Sequence, residues 1–233
     1  MKYNKKSETS YSIGMFATIE LIKNRPESIV GIYYSGKIKI DQKVSEVFAF
    51  CKKNNILCLE RTKFIESIAG KENVFLIGEF KKYEGEIHQG NHLVLVNPSD
   101  MGNLGTILRT CLGFNLKNIA IIKPCVDCFD PKVIRASQGA VFKLNIQLFN
   151  SFDDYIKQFS QNSRYMFCLD GDVELQSISE KRQPYSLVFG NEATGLPSEI
   201  TNNGCKVKIR QSAEIDSFNL AISVAMALYE FNK

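Results

Sequence analysis

Histidine is nearly missing from this chain, with two in 233 residues, and neither sits in a pattern that suggests catalysis. Cysteine occurs seven times without any repeated metal-ligand spacing, and Cys125-Val-Asp-Cys128 is the single C-x-x-C. A structural zinc site wants a second such pair, so no metal is expected. An odd, scattered set of thiols also argues against a disulfide framework and suits a reducing compartment. No stretch approaches the roughly 18 consecutive apolar residues that span a bilayer. The Lys5-Lys6 start leads into no apolar run with a small-residue cleavage site. The chain therefore reads as a soluble cytoplasmic protein with no membrane partner. Internal repeats, low-complexity tracts and coiled-coil heptads are missing too.

What the sequence does contain is enough apolar residue, 44%, for ordinary packed cores in one large domain or two small ones. The net charge of +4 is uneven: residues 1–88 hold 15 Lys/Arg against 11 Asp/Glu, and the remainder is balanced at 14 against 14. That excess suits either a nucleic-acid contact or a solvated surface in the first third. Residues 1–12 are polar and read as a mobile arm. From residue 13 to 80 the pattern alternates as a small α/β unit. Helices are expected around Phe16–Ile22, Val44–Cys51 and Thr62–Ala69, with strands at Ile29–Tyr34, Ile56–Leu59 and Val74–Ile77. Residues 81–91 carry two glycines and no sustained period, and read as a linker.

A second domain is expected over 92–233. Its short apolar runs (92–97, 118–123, 165–169, 186–189 and 206–209) alternate with helical segments, which implies a mostly parallel sheet with helices on both faces. The helices expected are Met101–Leu112, Pro131–Ala136 capped by Asp130, Ser151–Phe159 and Ser217–Phe231. A fragment starting near Gln89 is accordingly expected to fold alone.

The most informative run is Asn97-Pro-Ser-Asp-Met-Gly-Asn103-Leu-Gly-Thr-Ile-Leu-Arg109, between an apolar strand and a helix. That places Asn103 and Arg109 near the carboxyl edge of a sheet, where open α/β folds bind ligands. The loop lacks the G-x-x-x-x-G-K-[ST] phosphate cradle and the acid of a dinucleotide fingerprint. Two later segments match it: Leu187-Val-Phe-Gly190-Asn-Glu192-Ala-Thr-Gly195-Leu-Pro197, and Val207-Lys-Ile209-Arg210-Gln211 leading to Ser217-Phe218-Asn219. The three in order, with Arg135-Ala-Ser-Gln-Gly139-Ala140 between the first two, resemble the SpoU (TrmH-type) RNA 2′-O-ribose methyltransferases of the SPOUT superfamily. The resemblance covers about residues 90–233.

It implies a deep trefoil knot, S-adenosyl-L-methionine as cofactor, RNA as substrate (rRNA before tRNA), and a homodimer whose site is completed across a two-fold axis. The first domain resembles the ribosomal-protein-like substrate-binding domain attached to many such enzymes. Among its residues Tyr11, Phe16, Arg25, Tyr33, Tyr34 and Lys37 are candidates for stacking and phosphate contact, with core positions as the alternative.

A ribose hydroxyl is a poor nucleophile, so transfer needs alignment, charge stabilisation and exclusion of water. Arg109 matches the motif arginine, whose fork suits a phosphate or a developing alkoxide. Asn103 is read as orienting Arg109 or touching RNA, and as a possible helix N-cap. Glu192 is read as accepting hydrogen bonds from the Asn103–Arg109 helix or from substrate. Gly190 and Gly195 suit close backbone approach to a flat ligand or positive φ. Ile209 and Phe218 match cofactor-contacting positions. Ser217 and Asn219 are read as caps of the last helix that also lie beside cofactor and substrate. The chain departs from the family in having Ile209-Arg210-Gln211 for the usual Ile-Pro-Met, Phe218 for Leu and Ala193 for Gly. Losing the proline frees φ in a loop that should wrap the donor. The alternatives are an RNA-binding relative without turnover, and a methyltransferase acting on a base or a protein.

Overall fold

The structure, a computed structural model, describes residues 3–70 and 73–233. The chain forms two units. The first takes residues up to Tyr83 together with Asp127–Lys143, and the second takes Glu84–Val126 and Leu144–Lys233.

In the first unit the order is β1 (Thr9–Ile13), α1 (Met15–Asn24), β2 (Ile29–Tyr34), α2 (Gln42–Lys53), β3 (Leu57–Glu60), α3 (Thr62–Ala69) and β4 (Leu76–Lys81). The sheet runs β1-β4-β2-β3, antiparallel at β1/β4 and β4/β2 and parallel at β2/β3. Ile22, Ile32, Val47, Cys51 and Leu76 make one core, with Tyr34 and Phe48 packed on it. Asp41 starts α2 by accepting from Val44 N at 2.9 Å, and Gly70 stops α3 at φ 59°.

The expected mobile arm is corrected: its residues 9–12 belong to β1, paired with β4, while residues 1 and 2 lie outside those described. The inward positions are Ser10 and Ser12, both fully buried, so no apolar alternation marked the strand. Their hydroxyls are satisfied instead, Ser10 Oγ by Phe129 O at 2.5 Å and Ser12 Oγ by Thr18 Oγ1 at 3.0 Å.

The second unit begins with β5 (His92–Val96), α4 (Met101–Gly113) and β6 (Asn118–Ile122). The chain then passes through α5 (Pro131–Ala136), which belongs to the first unit. It resumes with β7 (Asn145–Phe149), α6 (Phe152–Gln158), β8 (Ser163–Phe167), β9 (Val173–Glu174), β10 (Tyr185–Phe189), α7 (Ser198–Thr201), β11 (Cys205–Lys208) and α8 (Leu220–Phe231). All pairs in the sheet β7-β6-β5-β10-β8-β11-β9 are parallel. Val94, Val96, Ala120, Ile122, Met166 and Val188 face Phe152, Tyr155 and Phe159 on one side. The alternate residues Leu93, Leu95, Ile119, Ile121 and Leu187 are buried on the other, where α8 lies on β10 and α4 lies on α8. Helices thus cover both faces, as a parallel sheet requires.

Segment 127–143 differs from the sequence expectation. Phe129 and Phe142 set their rings edge-on against Phe80 of β4, with centroids 5.7 and 5.2 Å away. Lys143 pairs with Glu20 at 2.6 Å, and Asp127 with Lys82 at 2.8 Å. Contiguity in sequence hid this, because the segment's own periodicity fits either unit. Residues 82–91 form no helix or strand, yet the expected linker is packed: Ile87 sits in the second unit's core, and a Cβ on Gly85 would come within 2.3 Å of Ile146 O.

At the amino ends of β5 and β10 a buried polar chain links His92, Tyr155 and Ser186. His92 Nε2 lies 2.7 Å from His88 O, so this nitrogen carries the proton. Nδ1 then accepts from Tyr155 Oη at 2.8 Å, and Tyr155 accepts from Ser186 Oγ at 2.6 Å. Burial pushes the His92 pKa down, against the opposing bond to His88, so the ring is held neutral. Among the described residues no helix is long and apolar enough to cross a membrane.

Candidate functional site

Strand order reverses between β5 and β10, because β6 and β7 extend one way from β5 while β8, β11 and β9 extend the other. Ligand crevices form at the carboxyl ends of strands at such a switch point. Four loops meet there: 97–100 after β5, 190–197 after β10, 168–172 after β8 and 209–219 after β11. A cavity of about 320 Å³ opens among the last three.

The two glycines act differently. A Cβ on Gly190 would lie 2.1 Å from Gly195 C, so this position is glycine because backbone meets backbone inside the loop rather than meeting a ligand. Gly195 has φ 67° and open space around it, so its need is conformational. Together they allow Asn191 and Gly195 to exchange backbone hydrogen bonds at 3.1 and 2.9 Å. Asn191, unforeseen in the sequence, fastens this hairpin. Its Oδ1 accepts from Ala193 N at 2.9 Å, and its Nδ2 donates to Asn97 O at 2.8 Å. The self-bonding habit of asparagine in turns was the available signal.

Glu192 clasps the first loop. One oxygen accepts from Ser99 N at 3.0 Å and Ser99 Oγ at 2.8 Å; the other accepts from Asp100 N at 3.1 Å and Asn103 Nδ2 at 3.4 Å. Burial pushes this carboxyl up, but the hydrogen bonds from Ser99, its own backbone and Asp100 outweigh burial and leave its pKa below the ordinary value. It is an anion fixed at the start of α4, where the helix dipole favours it, and its acceptor sites are occupied. Asn103 continues the chain, accepting from Asn219 Nδ2 at 2.9 Å. Glu192, Asn103 and Asn219 therefore tie all three sequence motifs together. Asn103 is not the N-cap: Asp100 is, accepting from Asn103 N at 2.7 Å. Asn219 caps α8, accepting from Ala221 N at 2.9 Å, so the helix begins at Leu220 rather than at Ser217.

Gly190, Glu192, Gly195, Ile209, Ser217 and Phe218 line the cavity; Asn103, Asn219 and Arg109 do not. Arg109 stands six residues beyond Asn103, about 9 Å along the helix. It is exposed and makes no ion pair or side-chain hydrogen bond with any described residue. The rest of the lining was not foreseen. Phe167 and Phe189 stack at 4.3 Å and 9° to form an aromatic floor, and Cys168, Leu169 and Asp170 follow β8 along one wall. The first two lay in strands already expected, but nothing in the sequence said that those strands were neighbours. Burial, followed by the hydrogen bond to Asp170, pushes the Cys168 thiol up to about 11. It is a thiol at neutral pH and no ready nucleophile.

Comparison with known proteins places this geometry. The sequence model of the SpoU rRNA Methylase family matches residues 90–229. An uncharacterized tRNA/rRNA methyltransferase of Synechocystis is 33% identical over 142 residues, 59% of this chain and 51% of the relative. A 23S rRNA (adenosine(1067)-2′-O)-methyltransferase of Streptomyces azureus is 27% identical over 147 residues, 61% of this chain and 54% of the relative. The matched part thus spans about half the length of these two relatives. Among solved structures, an AdoMet-bound rRNA methyltransferase from Sinorhizobium meliloti superposes with TM-score 0.83 and 27% identity, covering 96% of this chain and 87% of that one. With the family match spanning more than half its length, this chain belongs to the SpoU rRNA Methylase family.

Proposed function

We propose that the protein transfers a methyl group from S-adenosyl-L-methionine to a ribose 2′-hydroxyl of a structured RNA, rRNA in preference to tRNA. The observation that carries this reading is the Glu192–Asn103–Asn219 chain, which ties the loops after β5, β10 and β11 together at the switch point of the sheet, the latter two lining the cavity. The cavity, about 320 Å³, falls within the range of about 300–1,000 Å³ usual for small-molecule sites. Its stacked phenylalanines suit a flat base, its loop backbone offers polar groups at the rim, and Asp170 supplies a carboxylate beside a cationic ligand. The donor brings the reactive methyl; the protein contributes placement, a dry wall and charge. The preference for rRNA follows the named activities of the Streptomyces and Sinorhizobium relatives.

Arg109 is assigned the stabilising of negative charge on the target oxygen. Because it does not line its own cavity, it acts in the site of a second copy. An exposed apolar stripe on α8, next to α4, supports such an interface: Ile222 and Tyr229 are 49% and 62% exposed and lie two turns apart. Neighbouring strands that are distant in sequence, β5 beside β10 and β8 beside β11, support the knotted path implied by the family. Seven cysteines at scattered spacing support a reducing, cytoplasmic setting.

The deciding experiment incubates the full chain with methyl-labelled donor and either rRNA or tRNA, then digests the RNA and identifies the labelled nucleoside by mass. Label in a 2′-O-methyl nucleoside from rRNA is expected. Label on a base overturns the ribose assignment, and RNA binding without transfer or donor binding overturns the enzymatic one.

A further inference from the structure

Between β11 and α8 the chain runs from Ile209 to Asn219 without helix or strand. Ile209, Gln211, Ser217 and Phe218 nevertheless all face the cavity. Eleven residues without a ladder sample many conformations unless something ties them. One side chain does so from end to end. Gln211 Nε2 donates to Asp216 O at 3.0 Å and to Ile215 O at 3.4 Å, closing the loop just before Ser217. The other internal bonds, Glu214 N to Ser212 Oγ at 3.2 Å and Ile215 N to Ser212 O at 3.5 Å, stay at the tip.

We propose that Gln211 is a positioning residue for methyl-donor binding: its amide group draws the carbonyls of 215 and 216 inward and so keeps Ser217 and Phe218 on the cavity wall. The inference rests on the reading that this cavity receives S-adenosyl-L-methionine. It also accounts for the departure at Arg210-Gln211. A proline at 210 would hold φ by its ring, whereas here a neutral amide with two N–H donors restrains the loop by bridging two acceptors. Methionine has no donor to offer, and a carboxylate would set oxygen against two carbonyl oxygens.

The test uses the full chain as wild type, Gln211→Met and Gln211→Glu. Donor affinity is measured calorimetrically, amide exchange over 212–218 is followed without ligand, and methyl transfer is followed over a range of donor concentrations. Gln211→Met should weaken donor binding about tenfold, the factor that one typical net hydrogen bond carries. Gln211→Glu should weaken it more, although it matches glutamine in shape. Exchange over 212–218 should quicken in both, and KM for the donor should rise while kcat at saturating donor stays within about twofold. Wild-type affinity and wild-type exchange in Gln211→Met would overturn the proposal, and so would a fall in kcat at unchanged donor affinity. If the wild type binds no donor yet its loop exchanges more slowly than that of Gln211→Met, the donor reading fails and the tie stands.

Discussion

Exchanging Glu192 for glutamine changes no shape and removes one acceptor oxygen from the clasp between the first two loops. Whichever way the new amide turns, its NH₂ faces donors. At one oxygen's place it meets Ser99 N and Ser99 Oγ, and at the other's it meets Asp100 N and Asn103 Nδ2. The first orientation is the milder, since the Ser99 hydroxyl can turn to accept from the amide and Ser99 N is the backbone donor that loses its acceptor, whereas the second leaves both Asp100 N and Asn103 Nδ2 facing it. Hydrogen bonds to a charged group contribute about 1.5–3 kcal/mol, and the half-exposed position brings the expected loss to about 1–2 kcal/mol. For a chain of this size that is roughly 2–8 °C in Tm. The pH dependence gives a second handle. The folded carboxyl has its pKa below the ordinary 4.5, so its contribution is complete above the unfolded value and is lost as pH falls through the folded one. Urea denaturation should show the full gap between wild type and Glu192→Gln at about pH 6–7, closing below about pH 4.3. A variant as stable as the wild type at neutral pH, or a gap independent of acid, would refute the clasp.

Arg109→Lys should lower turnover about a hundredfold or more, the scale of losing one preorganised donor to a developing oxyanion, with donor affinity by calorimetry unchanged; a fully active lysine variant would remove Arg109 from the chemistry. Tyr155→Phe leaves His92 Nδ1 only the long 3.5 Å contact from Asn162 Nδ2 and takes the acceptor from Ser186 Oγ, so urea denaturation should show a loss of about 1–3 kcal/mol. A fragment of residues 89–233, which the sequence alone marks as self-sufficient, should instead aggregate or bind an apolar dye, because it carries Phe129 and Phe142 without Phe80; a monodisperse, dye-silent fragment would contradict the assignment of 127–143 to the first unit.

Where local signals were strong, sequence and structure agree closely: β2 occupies Ile29–Tyr34, α3 occupies Thr62–Ala69 and α5 occupies Pro131–Ala136, each an apolar pattern with a stop or cap of its own. The failures share one cause, which is that partners distant in sequence leave no periodic mark. β1 buries serines whose acceptors lie on other elements. β7 alternates around Asn145 and Gln147 and reads as polar, while β9 is two residues long. In the site, Gly190 and Glu192 stood out by type, but their roles came from the folded loops: Gly190 makes room for the backbone of Gly195 in its own turn, and Glu192 is occupied by the sequence-distant Ser99 and Asp100. Asp170 had no signal stronger than a polar residue in a loop, Asn191 had only the turn habit of asparagine, and Gln211 showed only as a departure from the family's usual methionine.

The detour of 127–143 into the first unit bears on how the protein is made. An amino-terminal domain ordinarily folds as it leaves the ribosome, ahead of the later domains, with translation adding about 5–20 residues per second. Here Phe80 has no ring from Phe129 or Phe142 to pack against until those residues have been synthesised, and by then β5, α4 and β6 have already emerged. The two units therefore cannot mature strictly one after the other. For a span of several seconds the nascent chain carries an incomplete first core beside a half-built parallel sheet, and that is the interval in which a chaperone has the most exposed apolar surface to shield.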